Sequence, residues 1–151
     1  MNSQQRIARR FRVTPGQSSS IKQGKSPLTE KRRDLIAAVT VEVNGLVAEE
    51  NGVLIGLLVY YFVPFTYRAK PNVIIKELYV ADEHRSKGVG KLLMKAIATE
   101  AEQAGCGLIK WYVAKWNQRG IEFYERLGAK IDPNWHEFQM SEKTFRDLAA
   151  S

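Results

Sequence analysis

The feature that most constrains this fold is a strand that runs through a short glycine-containing loop directly into a helix. Val73–Val80 is rich in β-branched and apolar residues, and Gly88 and Gly90 open the helix that follows. The N-terminus of a helix gathers unpaired backbone N–H groups, and the helix dipole places partial positive charge there. Glycines let an anion approach the backbone, while Arg85 and Lys87 add positive charge. The segment therefore predicts a binding site for a pyrophosphate group.

Two better-known glycine motifs do not fit this loop. A Walker loop needs Gly five residues before the Gly-Lys pair and Ser or Thr after the Lys, but those positions hold Arg85 and Leu92. A Rossmann fingerprint needs a third Gly where the chain has Leu93. The alternative interpretation is that the two glycines only begin a helix.

The apolar patterns along the rest of the chain predict a mixed α/β fold. Asn51-Gly52 between two apolar runs predicts a type I′ hairpin turn, because this pair adopts positive φ angles readily. The predicted strands are a short edge strand at Ile7–Val13, the hairpin pair Leu46–Glu50 and Val53–Val63, then Val73–Val80, Leu108–Ala114, and a closing hairpin of Ala129–Asp132 and Trp135–Met140. The predicted helices are Leu28–Val39, Gly88–Gly105 with Gly105 at its C-cap, Asn117–Leu127 and Glu142–Ala149.

The positive charge is concentrated at the N-terminus. The net charge is +7, yet residues 1–33 hold nine Lys or Arg against one acidic residue, and the remainder holds 14 basic and 15 acidic residues. Residues 1–27 are therefore interpreted as a basic segment containing Gly, Ser and Pro, and residues 28–151 as the folded domain. Such an arm can attract nucleic acid electrostatically, but Phe11 is its only aromatic residue, which favours a solvated tail.

Composition excludes several other classes. Cys106 is the single cysteine, so neither an internal disulfide nor a Cys-rich zinc site is expected. With only two histidines in 151 residues, no metal centre is expected. The longest apolar run, Val53–Val63, is shorter than the roughly 20 residues that a membrane span needs. No apolar stretch follows the basic N-terminus, so no signal peptide is predicted, and the expected location is the cytoplasm, without membrane attachment.

Two spaced motifs resemble the GCN5-related N-acetyltransferase (GNAT) family, in particular its diamine (spermidine/spermine) and thialysine acetyltransferase branch. The first is Arg85-x-x-Gly88-x-Gly90 after a strand, and the second is Trp116-Asn117, Phe123-Tyr124 and Leu127-Gly128-Ala129 in that order. The resemblance covers about residues 46–148. It implies a central, mostly antiparallel twisted sheet with flanking helices, and a homodimer. The N-terminal strand and helix region is atypical, because residues 14–27 lack the apolar periodicity of a first helix.

The resemblance implies acetyl-CoA as cosubstrate. Backbone groups of Leu78 and Val80 would pair with the pantetheine arm, and the amides from Arg85 to Gly90 would hold the pyrophosphate. Asn117 would touch the pantetheine or cap its helix, and Tyr124 would protonate the departing thiolate. The full set of implied cosubstrate-binding residues is Leu78, Tyr79, Val80, Arg85, Ser86, Lys87, Gly88, Val89, Gly90, Lys91, Asn117 and Tyr124.

The acceptor implied by the resemblance is a primary amine of a small molecule. Glu77, or a water relay, would take the proton from its ammonium group. The polyamine branch has an acidic pair where this chain has Lys76-Glu77, and regular strand alternation would keep these two side chains on opposite faces. A lysine there favours an acceptor with its own carboxylate or phosphate. Tyr67 is a further candidate for acceptor binding.

Two functions other than acetyl transfer remain open on the sequence. One is a nucleic-acid-binding or partner-binding protein that uses the basic N-terminal arm and keeps a vestigial cosubstrate site. The other is a sensor that binds coenzyme A without turnover.

Overall fold

Five strands and three α-helices make up the regular structure along the described part of the chain. A computed structural model describes residues 5–13, 43–64 and 69–151. Its elements are β1 (Gln5–Val13), β2 (Val43–Glu50), β3 (Val53–Val63), β4 (Asn72–Val80), α1 (Val89–Gln103), β5 (Leu108–Lys110), α2 (Gln118–Arg126) and α3 (Glu142–Ala149). The chain divides into two compact units, Met1–Tyr112 with the sheet and α1, and Val113–Ser151 with α2 and α3.

The strands form one five-stranded sheet in the order β1-β2-β3-β4-β5. The β1–β2, β2–β3 and β3–β4 pairs are antiparallel, and the β4–β5 pair is parallel. This confirms the predicted mixed α/β class with a mostly antiparallel sheet. The predicted edge strand is also confirmed, since β1 lies at one end of the strand order and pairs with β2 alone among the described strands. The predicted hairpin turn is confirmed as well, because Asn51 and Gly52 have φ angles of 52° and 82°.

Helix α1 covers one face of this sheet and supplies four of the eleven described residues of the buried core cluster. Its buried residues lie on the predicted apolar stripe, each four positions from the next, and they are Val89, Leu93, Ile97 and Ala101. They pack against buried strand residues Leu46, Ala48, Ile55, Leu58, Tyr60, Val73 and Ile75. A Cβ at Gly56 would lie 3.0 Å from both Leu93 Cδ1 and Val89 Cγ1. The glycine at this position therefore allows the start of α1 to approach β3 closely.

A Schellman motif ends α1 at the predicted C-terminal glycine. Gly105 has a φ of 66°, its N–H donates to the Glu102 carbonyl at 3.0 Å, and the Cys106 N–H donates to the Ala101 carbonyl at 2.9 Å. The Cys106 side chain packs against the core, and burial raises the pKa of its thiol. Cys106 is thus a residue of the helix-ending turn.

Two strand predictions need correction, and one helix prediction lies outside the described residues. Strand β5 ends at Lys110 rather than Ala114, because its pairing with β4 stops at the Ile74 and Lys110 pair. The closing hairpin predicted over 129–140 is wrong, since those residues form no strand. Instead Asp132 Oδ1 accepts a hydrogen bond from the Asn134 N–H at 2.9 Å across Pro133, which has no N–H to donate to a strand. The predicted helix Leu28–Val39 lies outside the described residues.

Candidate functional site

Strand β4 has one edge that is only partly paired. Strand β3 pairs with β4 along its whole length, whereas β5 pairs only with Asn72–Ile74. Residues 75–80 therefore turn backbone groups toward an edge that no strand of the described residues covers. Because strand edges recruit extended ligands through their backbone hydrogen bonds, this edge can accept a chain that lies alongside it. The predicted cosubstrate residues Leu78, Tyr79 and Val80 lie on it.

A β-bulge interrupts β4 just before those residues. Ile75 is opposite Tyr60 and Glu77 is opposite Val59, so Lys76 has no partner of its own on β3. Both Lys76 and Glu77 are exposed. The predicted strand alternation, which would place these two side chains on opposite faces, therefore does not hold at the bulge. No local sequence pattern indicates this bulge.

The open edge of β4 leads into a tight turn that Arg85 braces. A 3₁₀ turn spans Asp82–His84, and the Arg85 N–H donates to the Asp82 carbonyl at 3.2 Å. The Arg85 side chain folds back, with Nε donating to the Val80 carbonyl at 3.1 Å and Nη2 lying 2.6 Å from Asp82 Oδ1. The structure thus gives Arg85 a bracing role, and its backbone N–H is used within the turn.

The glycine loop presents the uncapped N-terminus of α1. Gly88 is the N-cap residue with a φ of 85°, no side chain caps the helix, and the first turn contains no acidic residue. A Cβ at Gly88 would meet nothing within 4 Å, so the space beside it is open. The helix's first hydrogen bond runs from the Leu92 N–H to the Gly88 carbonyl, which leaves the amides of 89–91 directed past the helix end. These features fit a bound pyrophosphate.

A partly buried contact that the sequence did not reveal joins this turn to the β2–β3 hairpin. His84 Nδ1 lies 3.3 Å from Glu50 Oε2, and the two side chains are only 18% and 16% exposed. His84 is therefore a partly buried residue rather than a fully exposed one. The contact fixes the turn before the glycine loop to the end of β2. Partners 34 positions apart leave no local pattern, so sequence reasoning missed them.

The remaining predicted residues divide between the second unit and the undescribed segments. Asn117 caps α2, with Oδ1 accepting a hydrogen bond from the Gly120 N–H at 3.0 Å, which is one of its two predicted roles. Tyr124 packs edge-to-face on Phe123 with ring centroids 5.0 Å apart, and burial raises the pKa of its phenol. The roles of Asn117 and Tyr124 toward the cosubstrate stay predictions. Tyr67 lies outside the described residues.

The described residues contain neither a metal-binding cluster nor a membrane-spanning helix. No three His, Cys, Asp or Glu side chains among them are grouped to hold a metal ion. Across the same ranges, no helix is both long and apolar enough to cross a membrane.

A sheet whose open strand edge continues into a glycine loop at a helix N-terminus defines a class of proteins that can hold an extended, phosphate-bearing cosubstrate. The profile of the Acetyltransferase (GNAT) family matches residues 18–129, more than half of the chain. The protein belongs to this family, whose members use acetyl-CoA as cosubstrate.

Relatives with assigned activities act on small amines by name. The chain is 35% identical over 86 residues to an L-ornithine N5-acetyltransferase of Arabidopsis thaliana, a match covering 56% of this chain and 38% of that protein. It is 29% identical over 103 residues to a thialysine N-epsilon-acetyltransferase of Sus scrofa, covering 66% of this chain and 60% of that one. The chain thus spans less than two thirds of these relatives. Their names give no support to the nucleic-acid-binding alternative.

Solved structures show the same fold. An integron cassette protein of V. cholerae superposes with a TM-score of 0.70 at 22% identity, covering 81% of this chain and 78% of that one. An aminoglycoside acetyltransferase from an uncultured soil metagenomic sample, crystallised with sisomicin, gives a TM-score of 0.64 at 17% identity, covering 88% and 95%.

Proposed function

We propose that this protein is an N-acetyltransferase that moves an acetyl group directly from acetyl-CoA to a primary amine of a small molecule. One observation supports this above the others: the open edge of β4 leads through one short turn to an uncapped helix N-terminus. The first feature suits the extended pantetheine arm and the second suits the pyrophosphate. Both belong to the same compact unit.

The cosubstrate is held mainly by backbone groups in this proposal. Leu78 and Val80 offer N–H and C=O groups to the pantetheine amides, as a neighbouring strand would. The amides of residues 86–91 face the pyrophosphate, and the exposed side chains of Lys87 and Lys91 add positive charge. Backbone recognition requires no metal and tolerates varied side chains at the loop.

The reaction needs a neutral amine. An alkylammonium with a pKa of about 10.4 is about 3.4 pH units from deprotonation at pH 7, a cost of about 4.6 kcal/mol. Glu77 lies on β4 one residue before Leu78, which makes it the candidate to take that proton directly or through water. The amine nitrogen then forms a bond to the acetyl carbon, and the carbon–sulfur bond breaks. The Tyr124 phenol donates the proton that the departing thiolate needs.

Calorimetric titration with acetyl-CoA tests the binding half of the proposal. We expect saturable binding to the wild-type protein that Gly88→Trp abolishes, because an indole would fill the open space beside the loop. Gly105→Trp is the matched control, since Gly105 also has a positive φ and open space but lies at the other end of α1. It should retain binding. Wild-type protein that does not bind acetyl-CoA would contradict the proposal.

Thiol release in the presence of amines tests the catalytic half. We expect free coenzyme A to appear together with an acceptor 42 Da heavier by mass spectrometry, as the mass of a transferred acetyl group requires. Binding without release for any amine in a broad panel would instead identify a coenzyme A sensor.

We also propose a cytoplasmic homodimer, as the family resemblance implies. Large apolar side chains exposed in the second unit, including Trp135 and Phe138, support an association surface. Light scattering that shows a monomer at micromolar concentration would contradict the dimer.

A further inference from the structure

We propose that Lys76 and Lys110 form a subsite for a carboxylate on the acceptor, so that the enzyme selects amino acids over diamines that lack this group. The inference rests on the proposed acetyl transfer and names the substrate class for it. Its evidence is the arrangement of charged side chains where β4 and β5 separate.

The bulge in β4 turns Lys76 and Glu77 toward the same face of the sheet. Ile75 belongs to the core beneath α1, and Leu78 packs against the same core three residues later. In a regular strand, residues three apart point to opposite faces. Since Ile75 and Leu78 share a face, the two residues between them both point away from α1, and both are exposed there.

Lys110 lies on that same face. Its neighbour Ile109 packs against the core on the α1 side, so alternation directs Lys110 to the opposite side. Lys110 is opposite Ile74 in the parallel register, two residues before Lys76 along β4. The last residue pair of the β4–β5 ladder thus places a second lysine next to the bulge.

These charges favour a zwitterion over a dication. Neither Lys76 nor Lys110 forms an ion pair or hydrogen bond with a described residue, and both are exposed. Among the described residues around the bulge, the ammonium groups of Lys76 and Lys110 therefore lie on the same face as the Glu77 carboxylate. An acceptor carboxylate near these two lysines is attracted by both ammonium groups, whereas a second ammonium on the acceptor is repelled by them.

The test compares acceptors that differ only by a carboxylate. The pairs are ornithine with 1,4-diaminobutane and lysine with 1,5-diaminopentane, and the measured quantity is the ratio of kcat/KM within each pair. We expect the wild-type enzyme to favour the amino acid at least about tenfold, a size typical of one desolvated charge contact. Lys76→Glu and Lys110→Glu should each lower that ratio about tenfold or more, mainly through the KM of the amino acid.

Lys95→Glu is the matched control for the change in net charge. Lys95 is exposed on α1, which covers the other face of the sheet. The kcat/KM ratio of the Lys95→Glu variant should therefore equal that of the wild-type enzyme. Lys76→Met keeps the apolar stem and removes only the charge, and it should give an intermediate ratio if the bulge remains folded. Acetyl-CoA affinity should be unchanged in all four variants.

The outcomes separate the two proposals. A wild-type enzyme that acetylates diamines as well as the matched amino acids, or lysine variants whose ratios equal that of Lys95→Glu, would overturn the carboxylate subsite while leaving acetyl transfer intact. Absence of acetylation of any amine would instead refute the proposed function.

Discussion

At the scale of single residues, Tyr124 shows how position sets chemical capacity. Its ring packs against Phe123, and burial raises the pKa of its phenol. An ordinary tyrosine titrates near pH 10, so a raised pKa keeps Tyr124 protonated through and above the neutral range. A neutral phenol can donate a proton to a thiolate, whereas a phenolate cannot. The direction of the shift therefore agrees with the proposed role as general acid.

Replacing Tyr124 with Phe tests that role. We expect kcat to fall about 100-fold, within the range that a general acid contributes, while the Kd for acetyl-CoA changes less than about twofold. The sign of the pH effect follows from the raised pKa. The alkaline decline of wild-type kcat should begin above the ordinary pKa of tyrosine, and Tyr124→Phe should lack this decline. Unchanged turnover in the variant would show that another group protonates the leaving thiolate.

At the scale of elements, the N-terminus of α2 combines a cap and a glycine that depend on each other. The Asn117 side chain caps the helix at Gly120, and a Cβ at Gly120 would lie 2.7 Å from Asn117 Nδ2. Gly120 is thus explained by the cap: its backbone N–H donates to Asn117 Oδ1, and a Cβ at this position would push the Asn117 side chain away. Glycine in a helix costs about 1 kcal/mol relative to alanine, and a good N-cap contributes about the same.

A double-mutant cycle on urea unfolding measures this dependence. Asn117→Ala alone should lower the free energy of unfolding by about 1 kcal/mol. Gly120→Ala alone should change it little, because the gain in helix propensity is offset by the displaced cap. Adding Gly120→Ala to Asn117→Ala should then recover about 1 kcal/mol, since no cap remains to be lost. Strictly additive effects would mean that the two positions do not interact.

Elements were predictable where one local pattern determines them. The apolar stripe of α1 and the Asn51-Gly52 turn depend on neighbouring residues, and the structure confirms both. The end of β5 depends instead on where β4 stops pairing, which is a property of two distant segments. The bulge at Lys76 likewise depends on tertiary packing, which places both Ile75 and Leu78 against one core. The false hairpin over 129–140 shows that apolar and aromatic content alone does not make a strand.

At the scale of the whole molecule, the site also combines local features, which the sequence predicts, with features that depend on distant segments, which it does not. The glycine loop was predictable, because a strand, two glycines and a helix follow one another along the chain. The open edge of β4 and the contact between His84 and Glu50 were not predictable. The first depends on where β5 stops pairing with β4, and the second joins residues far apart in sequence. The sheet and α1 thereby link the proposed binding loop to the core of the first unit. Ligand binding there should stabilise the fold against unfolding.

Thermal unfolding with and without acetyl-CoA measures that linkage. A ligand at 100 times its Kd that binds only the folded state adds about 2.7 kcal/mol, which is roughly 5–10 °C in Tm for a chain of this size. Gly88→Trp should lose this increase because it blocks the loop. Ile97→Val, in the core beneath the sheet, should lower Tm by about 2–4 °C and keep the full increase, because it removes one buried methyl group and leaves the loop intact. Equal increases in wild type and Gly88→Trp would place the binding site elsewhere, since stabilisation must follow the residues that contact the ligand.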